Sequence, residues 1–244
     1  GHGKDAAPGA VVVLDAGDFA AGASAAIAVG NHPAHVVADA GGDFAYVSNS
    51  EDDTVSVIDL AAGRVVAAVA TGAYPHGLRM SPDGTALYVA NVRDGTVSVI
   101  YTATRAETDR IAVGSTPVQV GFTPDGGRVY VSLRDEDTVA VIDTATGQVI
   151  DRIAVGRAPI QVHATPDGRF VYVANQGTDA DPDNTVSVIE AASGTVVATI
   201  ETGAGAHGVA VSDDGAFVFV SNIVDGTVSE IAFASQSVVR THRV

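Results

Sequence analysis

Ser81-Pro-Asp-Gly-Thr-Ala-Leu-Tyr-Val-Ala-Asn91, followed by Thr96-Val-Ser-Val-Ile100, decides how this chain folds. Proline sets φ at the first turn position and glycine accepts positive φ at its end, so Pro82-Asp-Gly84 reads as a tight reversal. The apolar run through Tyr88 is a strand on one side of a short polar loop. Thr96 to Ile100, rich in β-branched residues, is the strand on the other.

The same stretch recurs. Its tyrosine strand returns as Tyr46 to Asn49, Tyr130 to Leu133, Tyr172 to Asn175 and Phe219 to Asn222, at spacings of 42, 42, 42 and 47. A fixed period of this length marks a repeat architecture. Each unit follows a glycine (Gly30, Gly72, Gly114, Gly156, Gly203), with Pro33, Pro75, Pro117, Pro159 or Ala206 three residues on. Then come a short apolar segment, a turn such as Pro124-Asp-Gly126, the tyrosine strand and a threonine strand. A second glycine turn leads to a fourth segment such as Arg64 to Val69. No stretch long enough for a typical helix shows a 3.6-residue apolar period. Four short antiparallel strands per repeat describe a propeller blade, whose apolar faces are buried only against neighbouring blades.

The expected fold is therefore all-β: a β-propeller of four-stranded antiparallel blades in a single domain over residues 11–244. Its full repeats span about 30–71, 72–113, 114–155, 156–202 and 203–244. Residues 11–29 supply only the outer two strands of another blade, Val11 to Asp15 and Ala26 to Val29. Six blades with an incomplete closing blade is the favoured arrangement, and a seven-bladed parent its rival. Irregular closure, absent residues or a second chain would each account for the incomplete blade. Residues 1–10 read as a flexible tail.

Composition narrows the function. Thirteen basic against 29 acidic residues give a formal charge of -16, which disfavours nucleic acid. The chain has no cysteine, so disulfides and zinc-thiolate sites are excluded, and no tryptophan. No apolar run is long enough to span a membrane. Neither a phosphate loop nor a nucleophile elbow appears.

Tyr46 to Asn49, Tyr88 to Asn91 and Tyr172 to Asn175, with Ser81-Pro-Asp-Gly84 and Thr96 to Ile100, resemble the YVTN-type β-propeller repeat family, which includes surface-layer-like and YncE-like proteins. The resemblance covers nearly all of residues 11–244. It implies an extracytoplasmic location (periplasmic, secreted or cell-surface) and supplies no catalytic residue. Asn49, Asn91, Asn175 and Asn222 are expected to hold the turn after their strand, with Thr54 and its equivalents bonding across the same reversal.

Candidate binding residues gather where each unit enters its innermost strand: His32, His35, His76 and His207, with Gln119 and Gln161 in the two units lacking such a histidine. Arg79 is a candidate for holding an anionic group. His163 lies farther along its strand, in a position to point between blades. If the ring brings His35, His76 and His207 together, neutral imidazoles suit zinc, copper or nickel. The inserted loop Gln176 to Asn184 alternates Asp179, Asp181 and Asp183, three carboxylates spaced for calcium. Against that stand Asn184 where a glycine is needed, the wrong spacing of Glu190 and the stiffness of Pro182, so a solvated acidic loop is the competing reading.

These features favour an extracytoplasmic binding or scaffold protein that uses its channel or loop faces for a protein or small-molecule partner. A metal-dependent lyase or hydrolase using channel histidines is the second hypothesis. A structural surface module that oligomerises through the incomplete blade is the third.

Overall fold

The computed structural model describes residues 9–14, 17 and 22–244, with only the backbone of 23–25. The expected tail lies outside these residues up to residue 8, as does Asp15. Ala10 already belongs to the first strand. Among the described residues, 22 strands form six antiparallel sheets.

β1 (Ala10–Leu14) and β2 (Ala23–Ala28) form a two-stranded sheet. Blade 1 is β3 (Pro33–Ala38), β4 (Phe44–Asn49), β5 (Thr54–Asp59) and β6 (Arg64–Ala70). Blade 2 is β7 (Pro75–Met80), β8 (Ala86–Asn91), β9 (Thr96–Tyr101) and β10 (Ala106–Ala112). Blade 3 is β11 (Pro117–Phe122), β12 (Arg128–Leu133), β13 (Thr138–Asp143) and β14 (Gln148–Ala154). Blade 4 is β15 (Pro159–Ala164), β16 (Phe170–Gly177), β17 (Pro182–Glu190) and β18 (Thr195–Glu201). Blade 5 is β19 (Ala206–Val211), β20 (Phe217–Asn222), β21 (Thr227–Ala232) and β22 (Ser237–Arg243). In each blade the strands pair in chain order.

The chain forms two compact units, Gly1–Arg110 and Ile111–Val244. In the first, Tyr46, Val55 and Val57 of blade 1 meet Leu78, Leu87 and Val89 of blade 2. The other side of blade 1, through Ala45, Val47 and Ile58, meets Ile27 of β2 and Val29. In the second unit, β16 shows why a valine-rich strand needs neighbours on both sides. Its Val171 and Val173 pack with Tyr130, Val139 and Val141 of blade 3, while Tyr172 and Ala174 pack with Val209, Val218 and Val220 of blade 5. Alternation along a strand sends successive side chains to opposite faces, so both are buried.

Within each unit the first strands of consecutive blades lie close, β3 on β7 and β11 on β15 on β19, while the fourth strands touch sparingly. The first strand is thus the inner one. Its pairing to the second strand breaks at the same place in every blade, between Pro33 and Val36, Pro75 and Leu78, Pro117 and Val120, Pro159 and Val162, and Ala206 and Val209. Such a bulge takes amides out of the ladder and re-aims their side chains.

The loop between the second and third strands is fastened as expected in four blades. Nδ2 of Asn49 donates to Thr54 Oγ1 at 3.0 Å and Ser56 Oγ at 2.9 Å. Asn91, Asn175 and Asn222 do the same. Blade 3 has Leu133 instead, fully buried, and a short 3-10 turn over Arg134–Glu136.

Candidate binding face of the innermost strands

The bulge sets the geometry of this face. With its ladder partner gone, the amide of the third strand residue donates to a serine on the second strand: His35 N to Ser48 Oγ at 3.1 Å, Gln119 N to Ser132 Oγ at 3.1 Å, and Gly208 N to Ser221 Oγ at 2.8 Å. The serine hydroxyl then donates onward to the next blade. Ser48 reaches the His76 carbonyl and Ser132 the Ile160 carbonyl, both at 2.6 Å. These latches tie neighbouring inner strands together. In the sequence the serine looks interchangeable with the alanine of Ala90 and Ala174.

The first unit brings His35 and His76 together. Their ring centroids lie 4.8 Å apart at an interplanar angle of 66°. Both side chains are half-buried. His32 stands apart from this pair. Its residue adopts a left-handed backbone (φ 52°), as does Tyr74 (φ 60°) in blade 2. That turn is held by Asp53, whose Oδ1 accepts the Tyr74 amide at 2.8 Å. The edge of His32 meets the Tyr74 ring, its Nδ1 lies 3.4 Å from the Tyr74 hydroxyl, and the Arg93 guanidinium covers the ring at 4.0 Å. Glu51 sits 3.9 Å from His32 and 3.6 Å from Arg93. His32 and Tyr74 stand one 42-residue period apart, as do Glu51 and Arg93, so the cluster joins two equivalent positions of adjacent blades, and only the residue types filling them distinguish it.

Arg79 pairs with Tyr88 in register and shares its side of the sheet, opposite Leu78 and Met80, which face blade 1. Burial draws its guanidinium below the usual arginine range. In the second unit His163 pairs with Tyr172 in the same way and faces blade 5, between the blades. Gln119 is buried, and its Oε1 accepts the Val120 amide at 3.0 Å. Gln161 Oε1 accepts the Val209 amide of the next blade at 3.4 Å. Burial lowers the His207 pKa, which keeps that imidazole neutral at pH 7.

The acidic loop is a protruding hairpin, since β16 and β17 extend into it and Gly177 pairs with Pro182. Asp181 forms an ion pair with Arg157. Asp183 accepts the Arg157 amide at 3.0 Å and the Thr185 hydroxyl at 2.7 Å. It thereby does what Asp52, Asp94, Glu136 and Asp225 do in the other blades, each accepting the amide that follows the conserved glycine. Asp179 is exposed. Among the described residues, no group of three or more His, Asp or Glu side chains is placed to hold a metal ion.

The repeat, the bulged inner strand and the asparagine-fastened loop are the features by which this chain can be compared with others. The family model described as YNCE-like β-propeller matches residues 9–125, 84–152 and 108–243. The chain belongs to the YNCE-like β-propeller family. Overlapping matches are what a repeat produces, since one blade fits several positions of the model. This YNCE-like chain is similar in structure to Kuenenia stuttgartiensis hydrazine synthase, with a TM-score of 0.83 and 22% identity over 96% of this chain and 80% of that one. It is also similar to a functionally unknown protein from Desulfotomaculum acetoxidans, with a TM-score of 0.79 and 19% identity over 90% of this chain and 72% of that one. At such identities the likeness speaks for the fold alone. The search of curated proteins finds no match. Among the described residues no helix is long and apolar enough to cross a membrane.

Proposed function

We propose that this chain is an extracytoplasmic propeller module that binds a small polar ligand through side chains of its innermost strands. The observation that carries the reading is the His35–His76 contact, two half-buried imidazoles from adjacent inner strands meeting at 4.8 Å. The other inner strands extend the pattern. Each offers one hydrogen-bonding side chain beside its bulge, at the second position (His76, His207) or the third (His35, Gln119, Gln161). Where histidine takes the second position, glycine takes the third, at Gly77 and Gly208. A scaffold alone would be served by valine, as at Val120 and Val162 one residue on. Imidazoles and amides both donate and accept hydrogen bonds, which suits an uncharged polar ligand. The family resemblance supports the location.

The test is a ligand-observed NMR screen of neutral polar small molecules against untagged protein, with His76→Ala as the control. Hits that compete with one another and disappear in the variant support the reading; hits indifferent to His76 sink it. The same pair supplies two nitrogen ligands of the kind zinc, copper and nickel accept. Metal analysis of the untagged protein decides that version: a stoichiometric metal lost in His35→Ala supports it, and metal retained by the variant overturns it.

A further inference from the structure

Comparing equivalent residues blade by blade exposes two surfaces built for the same kind of neighbour. In the first unit the residue is Val36, fourth on its inner strand. It is 57% exposed, whereas Leu78, Val120, Val162 and Val209 at the same position are at most 6% exposed. Val36 pairs with Val47 and shares its side of blade 1, the side that meets β2. That sheet covers the outer part and leaves Val36 uncovered. Among the described residues the same sheet has an open edge. β1 pairs only with β2, while its equivalents β5, β9, β13, β17 and β21 each pair on both sides among the described residues. In blade 2 the corresponding places, beside β9 and against blade 1, are filled by β8 and β7.

The second unit repeats the observation independently. Phe219 is 37% exposed, against 1% for Tyr130 and 0% for Tyr172. Ser221 accepts the Gly208 amide as Ser132 accepts that of Gln119. The Ser132 hydroxyl donates onward to the Ile160 carbonyl, at the second residue of the next inner strand. Among the described residues no carbonyl accepts a hydrogen bond from the Ser221 hydroxyl.

We propose that each surface takes a partner β-hairpin of this repeat's own inner-strand type. The filled places of the other blades define the chemistry of the occupant. Its second strand pairs with the open edge of β1, and its first lays an apolar side chain over Val36. On blade 5 its first strand presents an alternating apolar face to Phe219 and a free carbonyl at its second residue to Ser221. Adding a strand to an open edge draws affinity from main-chain hydrogen bonds and specificity from alternate side chains.

The probe is a synthetic peptide of residues 117–133, the inner hairpin of blade 3, added to the whole chain. Hydrogen exchange should slow at the amides of residues 10–14, and Val36→Asp should abolish that protection. Val36 is exposed, so the variant should fold, and Val36→Thr, which keeps the shape, should lose only part of it. Ser221→Ala should weaken peptide binding about threefold to tenfold, the worth of one hydrogen bond. Unchanged exchange at saturating peptide overturns the proposal, as does protection that survives Val36→Asp. Protection that appears without peptide and grows with protein concentration would make the occupant a second copy, and also overturns it.

Discussion

In blade 4 the reversal after the second strand is fastened by a buried amide: Asn175 Nδ2 donates to Thr185 Oγ1 and Ser187 Oγ, both at 3.0 Å. In blade 3 the same place holds Leu133, and the serine facing it has become Ala140, both fully buried. The two changes go together because they satisfy one another. An amide without its hydroxyl partners, or a hydroxyl without its amide, would be a buried polar group left unpaired. The loop beyond adjusts as well. Glu136, on its short turn, reaches the Ser115 amide at 2.5 Å, where Asp183 and Asp225 serve in blades 4 and 5. One backbone reversal thus has a polar solution and an apolar one, and each is a set of residues rather than a single choice.

Mixing the two sets should break them, most severely from the apolar side. Leu133→Asn removes a fully buried leucine and leaves an amide facing Ala140, so we expect a loss of about 2–5 kcal/mol. Adding Ala140→Ser should recover at least about 1 kcal/mol of it. Urea unfolding of the single and double variants measures both quantities. A double variant no more stable than Leu133→Asn would mean that the two positions are not coupled. The reverse exchange is milder. Asn175→Leu takes the amide from two hydroxyls, of which half-buried Thr185 keeps its bond to Asp183 and Ser187 still accepts the Gly156 amide, so about 1–3 kcal/mol is expected. Ser187→Ala in the same background should cost less than Ser187→Ala alone, a coupling that a double-mutant cycle detects.

The polar solution was legible in the sequence, because asparagine, threonine and period recur together in four blades. The fold was legible for the same reason. The inner face was less so. The bulge places the second and third strand residues on the same duty, so His76 and His35 come together although they occupy different positions of the aligned repeat. The sequence puts His35, His76 and His207 forward together as candidates, without showing which of them meet. The serine latch was hidden because its acceptor, a backbone carbonyl of the next blade, has no letter in the sequence. Asp183 was equally hidden. Its regular spacing with Asp179 and Asp181 suggested a shared cation, yet its hydrogen bonds are those of a loop residue found in every blade.

Acid is the perturbation to which blades 3 and 4 should respond alike, since it acts on a turn they share. In Thr123-Pro-Asp125 the threonine hydroxyl donates to Asp125 at 2.6 Å and the Gly127 amide at 3.0 Å. In Thr165-Pro-Asp167 the threonine hydroxyl and the Arg169 amide do the same at 2.5 and 3.0 Å. The hydroxyl bonds, with the backbone amides, hold both carboxyls below the usual aspartate range. A carboxyl with a depressed folded-state pKa stabilises fully above its unfolded value, about 4, and the contribution is lost as pH falls through the folded value. Stability should therefore be flat in this respect from pH 7 to about 5 and decline below about 4. Thr123→Val and Thr165→Val should each flatten that decline by a similar small amount, read as the change in urea midpoint between pH 6 and pH 3. Both carboxyls are exposed although Thr123 and Thr165 are buried, so neither change in pH dependence should approach the effect of exchanging Leu133. A response confined to one blade would show that the loop chemistry beyond the second strand reaches back into the turn before it.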